Sequence, residues 1–188
     1  MRVLLDVDGV VSAFDEHLID SVGSSLTPME IVKWDIFDLI AQADNQTKKV
    51  EALMLMDDPE FWATLPVKKG ALEGVESLRN RGADVYWVTT PWWTCRGWDV
   101  VRRQWLVDNF PQTTVDHVVI TSAKYLCAGD IFVDDKVDNV DKWVKHNKNG
   151  RGFIYSAPYN KTCTKHEHVT WDPKSLINFE SKFMKEDI

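Results

Sequence analysis

The stretch that decides the fold is Val3-Leu4-Leu5-Asp6-Val7-Asp8-Gly9, a hydrophobic run that ends in two aspartates and a glycine. Consecutive apolar residues over Val3–Val7 predict a strand that is buried on both faces, as the strands of parallel sheets are. Two carboxylates so close together repel each other, and each must be hydrated or matched by a cation. Taken alone, the motif is equally compatible with a metal site and with a strand that stops at a polar turn.

Length and composition allow one domain with a small insertion. The chain has 188 residues, of which 44% are hydrophobic and 27% charged, and it is long enough to bury a sizeable core. Its formal net charge of −7 argues against a protein that coats DNA or RNA, so no nucleic-acid polymer is expected as a partner. A small anionic ligand stays compatible, because the local field in a cleft matters more than the total charge.

The cysteines and the N-terminus indicate a cytoplasmic protein. Cys95, Cys127 and Cys163 are odd in number and widely spaced, without a zinc pattern, so we expect reduced thiols. Met1-Arg2 leads directly into the first strand without a signal peptide, and no apolar run has the length needed to span a bilayer. No membrane partner is therefore expected, and the sequence leaves a homodimer open.

Strands alternate with helices along most of the chain. Between the first strand and residue 65 there are helix signals but no convincing strand: Thr27 precedes Pro28 as an N-cap, residues 48–56 have a helical pattern, and Asp57-Asp58 precedes a short helix from Pro59. Further helices are predicted over 70–81 and 94–109. Further strands are predicted over 84–89, 115–121, 130–133 and 151–155.

This order of elements predicts an α/β fold, a Rossmann-like parallel sheet that is flanked by helices on both faces. A small helical cap is expected to be inserted after the first strand. The predicted division is a catalytic core of residues 1–12 and 66–188 and a cap of residues 13–65.

Polar side chains follow four of the predicted strands. In strand order they are Asp6 with Asp8, Thr89 with Thr90, Lys124, and Asp134 with Asp135. Each cluster alone is typical of a turn. In parallel sheets, however, ligands bind outside the carboxyl ends of the strands, near the point where the strand order reverses. The combination therefore predicts one shared site.

The residue types at these strand ends favour phosphate chemistry. Asp6, Asp8 and Asp134 would form an all-oxygen site, which suits Mg²⁺ better than zinc. A carboxylate beside Mg²⁺ can attack phosphorus and give an aspartyl-phosphate, and a second carboxyl can protonate the leaving oxygen and then deprotonate water. A threonine hydroxyl and a lysine ammonium can bind the phosphate oxygens. These features indicate the removal or transfer of a phosphate group, with Mg²⁺ as the metal.

The motifs resemble those of the haloacid dehalogenase superfamily and, within it, of the 5'(3')-deoxyribonucleotidases. The matching segments are Asp-Val-Asp-Gly-Val at 6–10, Val-Thr-Thr-Pro at 88–91, Lys124, and Gly-Asp-Ile-Phe-Val-Asp-Asp-Lys at 129–136. Phe14, and Phe61-Trp62 followed by Gly70, extend the resemblance. It implies the superfamily's fold and the removal of phosphate from a small-molecule substrate, a nucleoside monophosphate, with Mg²⁺.

The resemblance also implies a role for each residue. Asp6 would be the nucleophile and a metal ligand, Asp8 the acid and base with its backbone carbonyl on the metal, and Asp134 a further ligand. The implied phosphate-binding residues are Thr89, Thr90 and Lys124. The implied supporting residues are Gly9 and Asp135, of which the second would orient Lys124 or metal-bound water.

A nucleobase is flat, so the implied substrate needs an aromatic pocket. Phe14 and Trp62 would line it, and Trp93 and Lys136 are further candidates on the substrate side. Stacking of a base on an aromatic ring is worth roughly 1–3 kcal/mol. Where the family commonly has an arginine after the aspartate pair, this chain has Lys136, which cannot make the same bidentate contact.

Other conspicuous residues favour structural roles. His166 and His168 lie late in the chain, away from the predicted strand ends, and need a strand to face the same side. Cys95 lacks an identifiable histidine partner, so core or surface packing is expected. Trp34 could reach the pocket, but its helical spacing to Ile31 and Leu39 favours packing in the core.

Three other functions stay open. The same chemistry could act on another small phosphate or on a nucleic-acid 3' phosphate, although a cap favours small molecules. A haloacid dehalogenase proper needs no metal, and Asp8 and Asp134 argue against it. A nucleotide-binding protein that has lost catalysis is opposed by the intact set of acids.

Overall fold

The computed structural model of the protein describes residues 1–175 and Phe179. The strands are β1 (Arg2–Leu5), β2 (Asp84–Thr89), β3 (Val118–Ile120), β4 (Ile131–Asp134), β5 (Arg151–Tyr155) and β6 (Glu167–Val169). The helices are α1 (Phe14–Ser21), α2 (Ile36–Ala43), α3 (Gln46–Leu55), α4 (Pro59–Ala63), α5 (Ala71–Asn80), α6 (Trp98–Asn109) and α7 (Val137–His146). The strands form one sheet in the order β3-β2-β1-β4-β5-β6, and every neighbouring pair is parallel.

The sheet is buried on both faces, as the apolar run in β1 predicts. Val3 and Leu5 belong to the larger hydrophobic cluster, together with residues of α5, α6 and the helices of segment 13–65. Leu4 points to the opposite face and belongs to a smaller cluster with Phe132 of β4 and Trp143 of α7. Successive side chains of a strand alternate between faces, so a continuous apolar strand requires this two-sided cover. The predicted Rossmann-like α/β class is confirmed.

The topology brings three strand ends together. β1 pairs with β2 on one side and with β4 on the other, so the strand order reverses at β1. Asp6 directly follows β1, while Thr89 and Asp134 are the last residues of β2 and β4. These three side chains therefore start from adjacent positions at the carboxyl edge of the sheet, which is where parallel α/β sheets place ligands.

Several predicted boundaries differ from the structure. The third strand is shorter than predicted, because residues 115–117 form a 3₁₀ turn whose Thr114 backbone N–H donates to His117. The predicted helix 94–109 begins only at Trp98, since Gly97 before it has a φ of 79°, outside the helical region. Strand β6 at the edge of the sheet was not predicted at all.

The segment between β1 and residue 65 is helical, as predicted, and contains α1 to α4. Side chains of Asp35, Asn45 and Asp58 accept hydrogen bonds from backbone N–H groups at the starts of α2, α3 and α4. The helix start predicted at Thr27 is a single 3₁₀ turn over Pro28–Glu30. Within the described part of the chain, no helix combines the length and apolar character that crossing a membrane requires. The division into core and cap stays a prediction.

The contact between β5 and α7 allows a direct test of this packing. A Cβ at Gly152 would lie 2.6 Å from Cγ1 of Val140 and from Cγ2 of Val144. We therefore expect Gly152→Ala to lower the free energy of unfolding by about 1–3 kcal/mol through overpacking. Denaturant unfolding of Gly152→Ala, Val140→Ala and the double variant measures this effect. The double variant should be more stable than the sum of the single effects predicts, and strict additivity would contradict the packing described.

Candidate active site

The predicted site residues surround a cavity of about 770 Å³ at the carboxyl edge of the sheet. Of the residues predicted, Asp6, Asp8, Gly9, Phe14, Trp62, Thr89, Thr90, Trp93, Lys124, Asp135 and Lys136 line it. A second cavity of about 560 Å³ lies at the opposite edge and is lined by residues such as Arg2, Asp84 and Asn147. None of the predicted site residues lines this second cavity.

Three buried carboxylates meet beside the cavity. Asp6, Asp134 and Asp135 each offer an oxygen atom, and these atoms lie within 4.8 Å of one another. Lys124 is buried among them: its Nζ lies 2.6 Å from Oδ1 of Asp6 and 2.9 Å from Oδ2 of Asp134. The ammonium offsets one of the three carboxylate charges, so the cluster retains two negative charges when every carboxyl is ionised.

The pKa values of these groups reflect that imbalance. Burial raises the pKa of Asp6 well above its ordinary value, and although Lys124 opposes the shift, the charges of Asp134 and Asp135 add to it. Burial, together with the charge of Asp134, raises the pKa of Asp135 to about 7. Burial alone would lower the pKa of Lys124, but the carboxylates of Asp134 and Asp6 raise it. The cluster thus keeps its lysine charged and lacks further positive charge.

Asp134 is fixed more firmly than the other two acids. Its Oδ1 accepts the backbone N–H of Lys136 at 2.8 Å, and the side-chain amide of Asn139 donates to both oxygens at 3.1 and 3.0 Å. Together with Lys124, these donors hold one orientation of a fully buried carboxylate. Asn139 was not predicted from the sequence, because an asparagine in the first turn of a helix is usually exposed to solvent.

Asp135 is hydrogen-bonded to a tyrosine and an asparagine, and its role of orienting Lys124 or metal-bound water stays a prediction. Its Oδ2 accepts a hydrogen bond from the hydroxyl of Tyr159, and its backbone carbonyl accepts the Asn160 amide at 2.8 Å. Lys124 pairs with Asp6 and Asp134. Gly9 has a φ of +76°, and a Cβ there would lie 2.8 Å from Oδ2 of Asp135, so glycine leaves room for this carboxylate.

The donor set of the cluster fits a hard divalent cation. Its members are carboxylates, and carboxylate oxygens are the ligands that Mg²⁺ and Ca²⁺ prefer. The side chain of Asp8 is not a member of this group. Coordination through the backbone carbonyl of Asp8, which the family resemblance implies, stays a prediction.

The carboxylate of Asp8 lies in a different environment from that of Asp6. Nη2 of Arg102 lies 2.8 Å from Oδ1 and 3.0 Å from Oδ2 of Asp8, and the hydroxyl of Ser12 donates to Oδ1 at 2.8 Å. Arg102 is fully buried in α6, and sequence reasoning missed it. Its helical spacing to Trp98 and Trp105 could have predicted that Arg102 lies on the apolar face of α6.

The two threonines at the end of β2 differ in exposure. Thr89 is buried, and its hydroxyl oxygen has no hydrogen-bond partner among the residues described. Thr90 is exposed, and both residues line the cavity. A buried hydroxyl without a partner costs free energy. Thr89 therefore offers an unsatisfied polar group beside the carboxylate cluster, as a ligand site would require.

The aromatic residues divide into a buried and an exposed group. Trp62 is 3% exposed and stacks on Phe14, with ring centroids 5.7 Å apart. Trp93 is 82% exposed at the rim of the cavity. The packing predicted for Trp34 is wrong: this side chain is 59% exposed, and Nζ of Lys136 lies 3.5 Å from its ring centroid. Residues 31–35 are not helical, so the helical spacing did not apply.

The histidines and Cys95 have structural surroundings. His166 is paired with Asp141, and the His168 ring contacts the backbone carbonyl of Cys163. Cys95 is buried within the larger hydrophobic cluster. The candidate metal group found among the described residues lies elsewhere, at the carboxylates described above.

Solved structures of other proteins share this fold. A haloacid dehalogenase-like hydrolase from Streptococcus pneumoniae has a TM-score of 0.58 at 9% identity and covers 95% of this chain and 97% of its own. A haloacid dehalogenase family hydrolase from Deinococcus radiodurans, solved with phosphate and sodium, has a TM-score of 0.56 at 14% identity. It covers 96% of this chain and 93% of its own. D,D-heptose 1,7-bisphosphate phosphatase from B. bronchiseptica, solved with magnesium and phosphate, has a TM-score of 0.50 at 12% identity, over 99% of each chain. The fold is that of the haloacid dehalogenase superfamily.

The sequence identifies the particular family. The family described as 5' nucleotidase, deoxy (pyrimidine), cytosolic type C protein matches residues 1–182, and the chain belongs to it. A candidate 5'(3')-deoxyribonucleotidase from Bordetella pertussis is 24% identical over 177 residues, 91% of each chain. The mitochondrial 5'(3')-deoxyribonucleotidase of Mus musculus is 21% identical over 145 residues, 73% of this chain and 66% of its own. The protein is a hydrolase of phosphate monoesters, of the 5'-nucleotidase type.

Asp15, which lines the cavity from the first turn of α1, yields a prediction about pH. Burial raises the pKa of its carboxyl from 3.8 to about 6, although the charge of Lys68 opposes the shift. Because the pKa of Asp15 is higher in the folded than in the unfolded protein, ionisation of this carboxyl lowers the free energy of unfolding. The contribution of protonated Asp15 to stability is therefore complete below about pH 3.8 and is lost as the pH rises through about 6. We expect Asp15→Asn to gain roughly 1–3 kcal/mol of unfolding free energy relative to the wild type between about pH 4 and 8.

Denaturant unfolding at a series of pH values measures this gain. Asp20→Asn is the matched control, because Asp20 is exposed in the same helix, and its stability should follow the wild-type pH dependence. Parallel curves for Asp15→Asn and the wild type would contradict the burial described for Asp15.

Proposed function

We propose that this protein is a Mg²⁺-dependent 5'(3')-deoxyribonucleotidase, which dephosphorylates nucleoside monophosphates through an aspartyl-phosphate on Asp6. The observation that carries the proposal is the buried group of Asp6, Asp134 and Asp135 around Lys124, beside a cavity with aromatic walls. The family assignment and the names of the relatives support the substrate class.

Asp6 has the properties that a nucleophile requires. Hydrogen bonds from described residues to its carboxylate fall on Oδ1, which accepts from the backbone N–H of Val7 at 2.7 Å and from Lys124. The other oxygen, Oδ2, is left to attack phosphorus. The charge of Lys124 favours the ionised form of Asp6, since it opposes the rise in the pKa of Asp6 that burial causes.

The proposed reaction has two steps. In the first, Asp6 forms a bond to phosphorus while the bond from phosphorus to the ester oxygen breaks, and the carboxyl of Asp8 gives its proton to the leaving oxygen. In the second, the carboxylate of Asp8 takes a proton from water, the water oxygen attacks phosphorus, and the bond to Asp6 breaks. Inorganic phosphate leaves, and both side chains return to their initial states.

Mg²⁺ would be held by Asp6 and Asp134, together with the backbone carbonyl of Asp8, and when bound it neutralises charge on the phosphoryl group. Lys124 and the hydroxyl of Thr89 would bind the phosphate oxygens, which would account for a buried hydroxyl that has no hydrogen-bond partner among the residues described. Two solved relatives in fold contain phosphate, one of them with magnesium.

The substrate would be a small molecule, because residues of the helices α1, α2 and α4 line the cavity and would cover a bound ligand. We propose residues 13–65 as a cap and residues 1–12 and 66–188 as the core. Asp57, just after α3, accepts hydrogen bonds from Nε1 of Trp92 and from the hydroxyl of Thr94, which links the cap to the loop after β2. Such cover excludes bulky polymers and bulk water. The exposed rings of Trp34 and Trp93 are flat surfaces on which a base can stack.

A cytoplasmic location is part of the proposal. Cys95, Cys127 and Cys163 are free thiols in the structure. Unpaired cysteines are typical of proteins that work in a reducing compartment.

Phosphate release from a panel of deoxyribo- and ribonucleoside monophosphates tests the proposal. We expect turnover with Mg²⁺, faster for the deoxyribonucleotides, and its loss with a chelator. Asp6→Asn should abolish turnover, and the intact mass of the wild type quenched during turnover should increase by one phosphoryl group. Asp138→Asn is the matched control, since Asp138 is exposed in α7 close to the site and should leave turnover unchanged. Magnesium-independent turnover, or full activity of Asp6→Asn, would refute the proposed mechanism.

Thr89 and Thr113 provide a matched pair of buried threonines. The Thr113 hydroxyl accepts from Nη2 of Arg79 at 3.0 Å and from Nε1 of Trp87 at 3.2 Å, whereas that of Thr89 has no partner among the described residues. We expect Thr89→Val to retain wild-type stability and lose about tenfold or more in kcat/KM. Thr113→Val should lose about 1–3 kcal/mol of stability and retain kcat/KM. Thermal unfolding and steady-state kinetics measure both, and an active Thr89→Val variant would refute the role of Thr89.

A further inference from the structure

Arg102 lies in a cage of tryptophan rings behind the site. Its guanidinium carbon is 5.0 Å from the ring centroid of Trp62, 5.3 Å from that of Trp98 and 5.5 Å from that of Trp105. Two of these rings are fixed themselves, because Nε1 of Trp62 donates to the backbone at 2.9 Å and Nε1 of Trp105 at 2.7 Å. The guanidinium is thus held in place by stacking from several sides.

The burial of this charge is only partly compensated. Nη2 contacts Asp8, but among the residues described neither Nε nor Nη1 has a hydrogen-bond partner. Burial also lowers the pKa of Arg102, an effect that the charges of Asp8 and Asp6 oppose. An apolar side chain of similar volume would avoid the desolvation cost and often packs as well. Stability of the core therefore does not explain an arginine at this position.

The position of Arg102 connects two parts of the site. On one side, Nη2 holds both carboxylate oxygens of Asp8. On the other, the guanidinium packs on Trp62, whose ring stacks on Phe14 in the cavity wall. Arg102 and Ser12 both donate hydrogen bonds to the carboxylate of Asp8, and the tryptophan rings hold Arg102 in place. The Asp8 side chain therefore has few alternative rotamers.

We infer that Arg102 is a positioning residue, which fixes the carboxyl group of Asp8 in the orientation needed to give its proton to the leaving oxygen. This inference rests on the proposed function, since it assigns Arg102 a part in the same hydrolysis. Arg102 touches Asp8 and acts through it. Its removal would therefore impair proton transfer more than binding of the phosphate.

Proton transfer can be isolated by changing the leaving group. The alkoxide of a deoxyribonucleoside is a poor leaving group and needs a proton as the ester bond breaks, whereas p-nitrophenolate leaves without one. We expect Arg102→Met to lower kcat/KM for a deoxyribonucleoside 5'-monophosphate by about 100-fold and that for p-nitrophenyl phosphate by less than about threefold. The loss should appear in kcat, with KM for the nucleotide changed little.

Three further variants complete the experiment. Asp8→Asn should show the same selective loss, and the Arg102→Met/Asp8→Asn double variant should lose no more than Asp8→Asn alone. Arg103→Met is the matched control, because Arg103 is the next residue of α6 and donates to the backbone carbonyls of Val115 and Val118, away from the site. It should keep the wild-type ratio of the two kcat/KM values.

The outcomes separate this inference from the proposed function. Equal losses of kcat/KM for both substrates would assign Arg102 a purely structural role and overturn the inference, while the proposed function would stand. If thermal unfolding shows that Arg102→Met does not fold, Arg102→Lys keeps the charge but loses the planar fork. It should show a smaller selective loss, and a wild-type ratio would overturn the inference. A wild type without activity on either ester would refute the proposed function and this inference together.

Discussion

The site depends on the two ion pairs that the buried ammonium of Lys124 forms with the carboxylates of Asp6 and Asp134. Burial disfavours charged groups, and the pKa values of Asp6 and Asp135 are raised accordingly. One lysine makes the close approach of three acids possible, but it leaves them short of positive charge. A divalent cation would supply that charge, and the cation-binding proposal follows from this imbalance more than from the acidic residues as such.

The two aspartates of the first motif share a strand end but lie in different surroundings. Asp6 faces Lys124 and Asp134, where ionisation is supported by a neighbouring ammonium. Asp8 faces Arg102, which a tryptophan cage holds in place. When two acids of one site have such different partners, they are suited to different roles. This separation supports the proposed roles, nucleophilic attack by Asp6 and proton transfer by Asp8.

The sequence predicted the features that follow from strand topology and missed those that depend on side-chain direction. The alternation of strands and helices, with the rule for strand ends, was enough to predict that Asp6 and Asp134 lie in one cluster and that Asp6 and Thr89 line one cavity. Strand β6 is short, polar and at the sheet edge, so it lacks the apolar pattern of a buried strand. Trp34 was placed in the core on helical spacing, yet its segment is not helical. The direction of Arg102 is set by packing between α6 and distant residues, which no local pattern encodes.

A crystal structure with Mg²⁺ and beryllium fluoride, which mimics a phosphoryl group, tests the central claim most directly. The account predicts an ion at about 2.1 Å from carboxylate oxygens of Asp6 and Asp134, with the fluoride adduct on the free oxygen of Asp6 and within reach of Lys124 and Thr89. A structure in which the ion binds elsewhere, or in which Asp6 carries no adduct while Lys124 keeps both ion pairs unchanged, would contradict it.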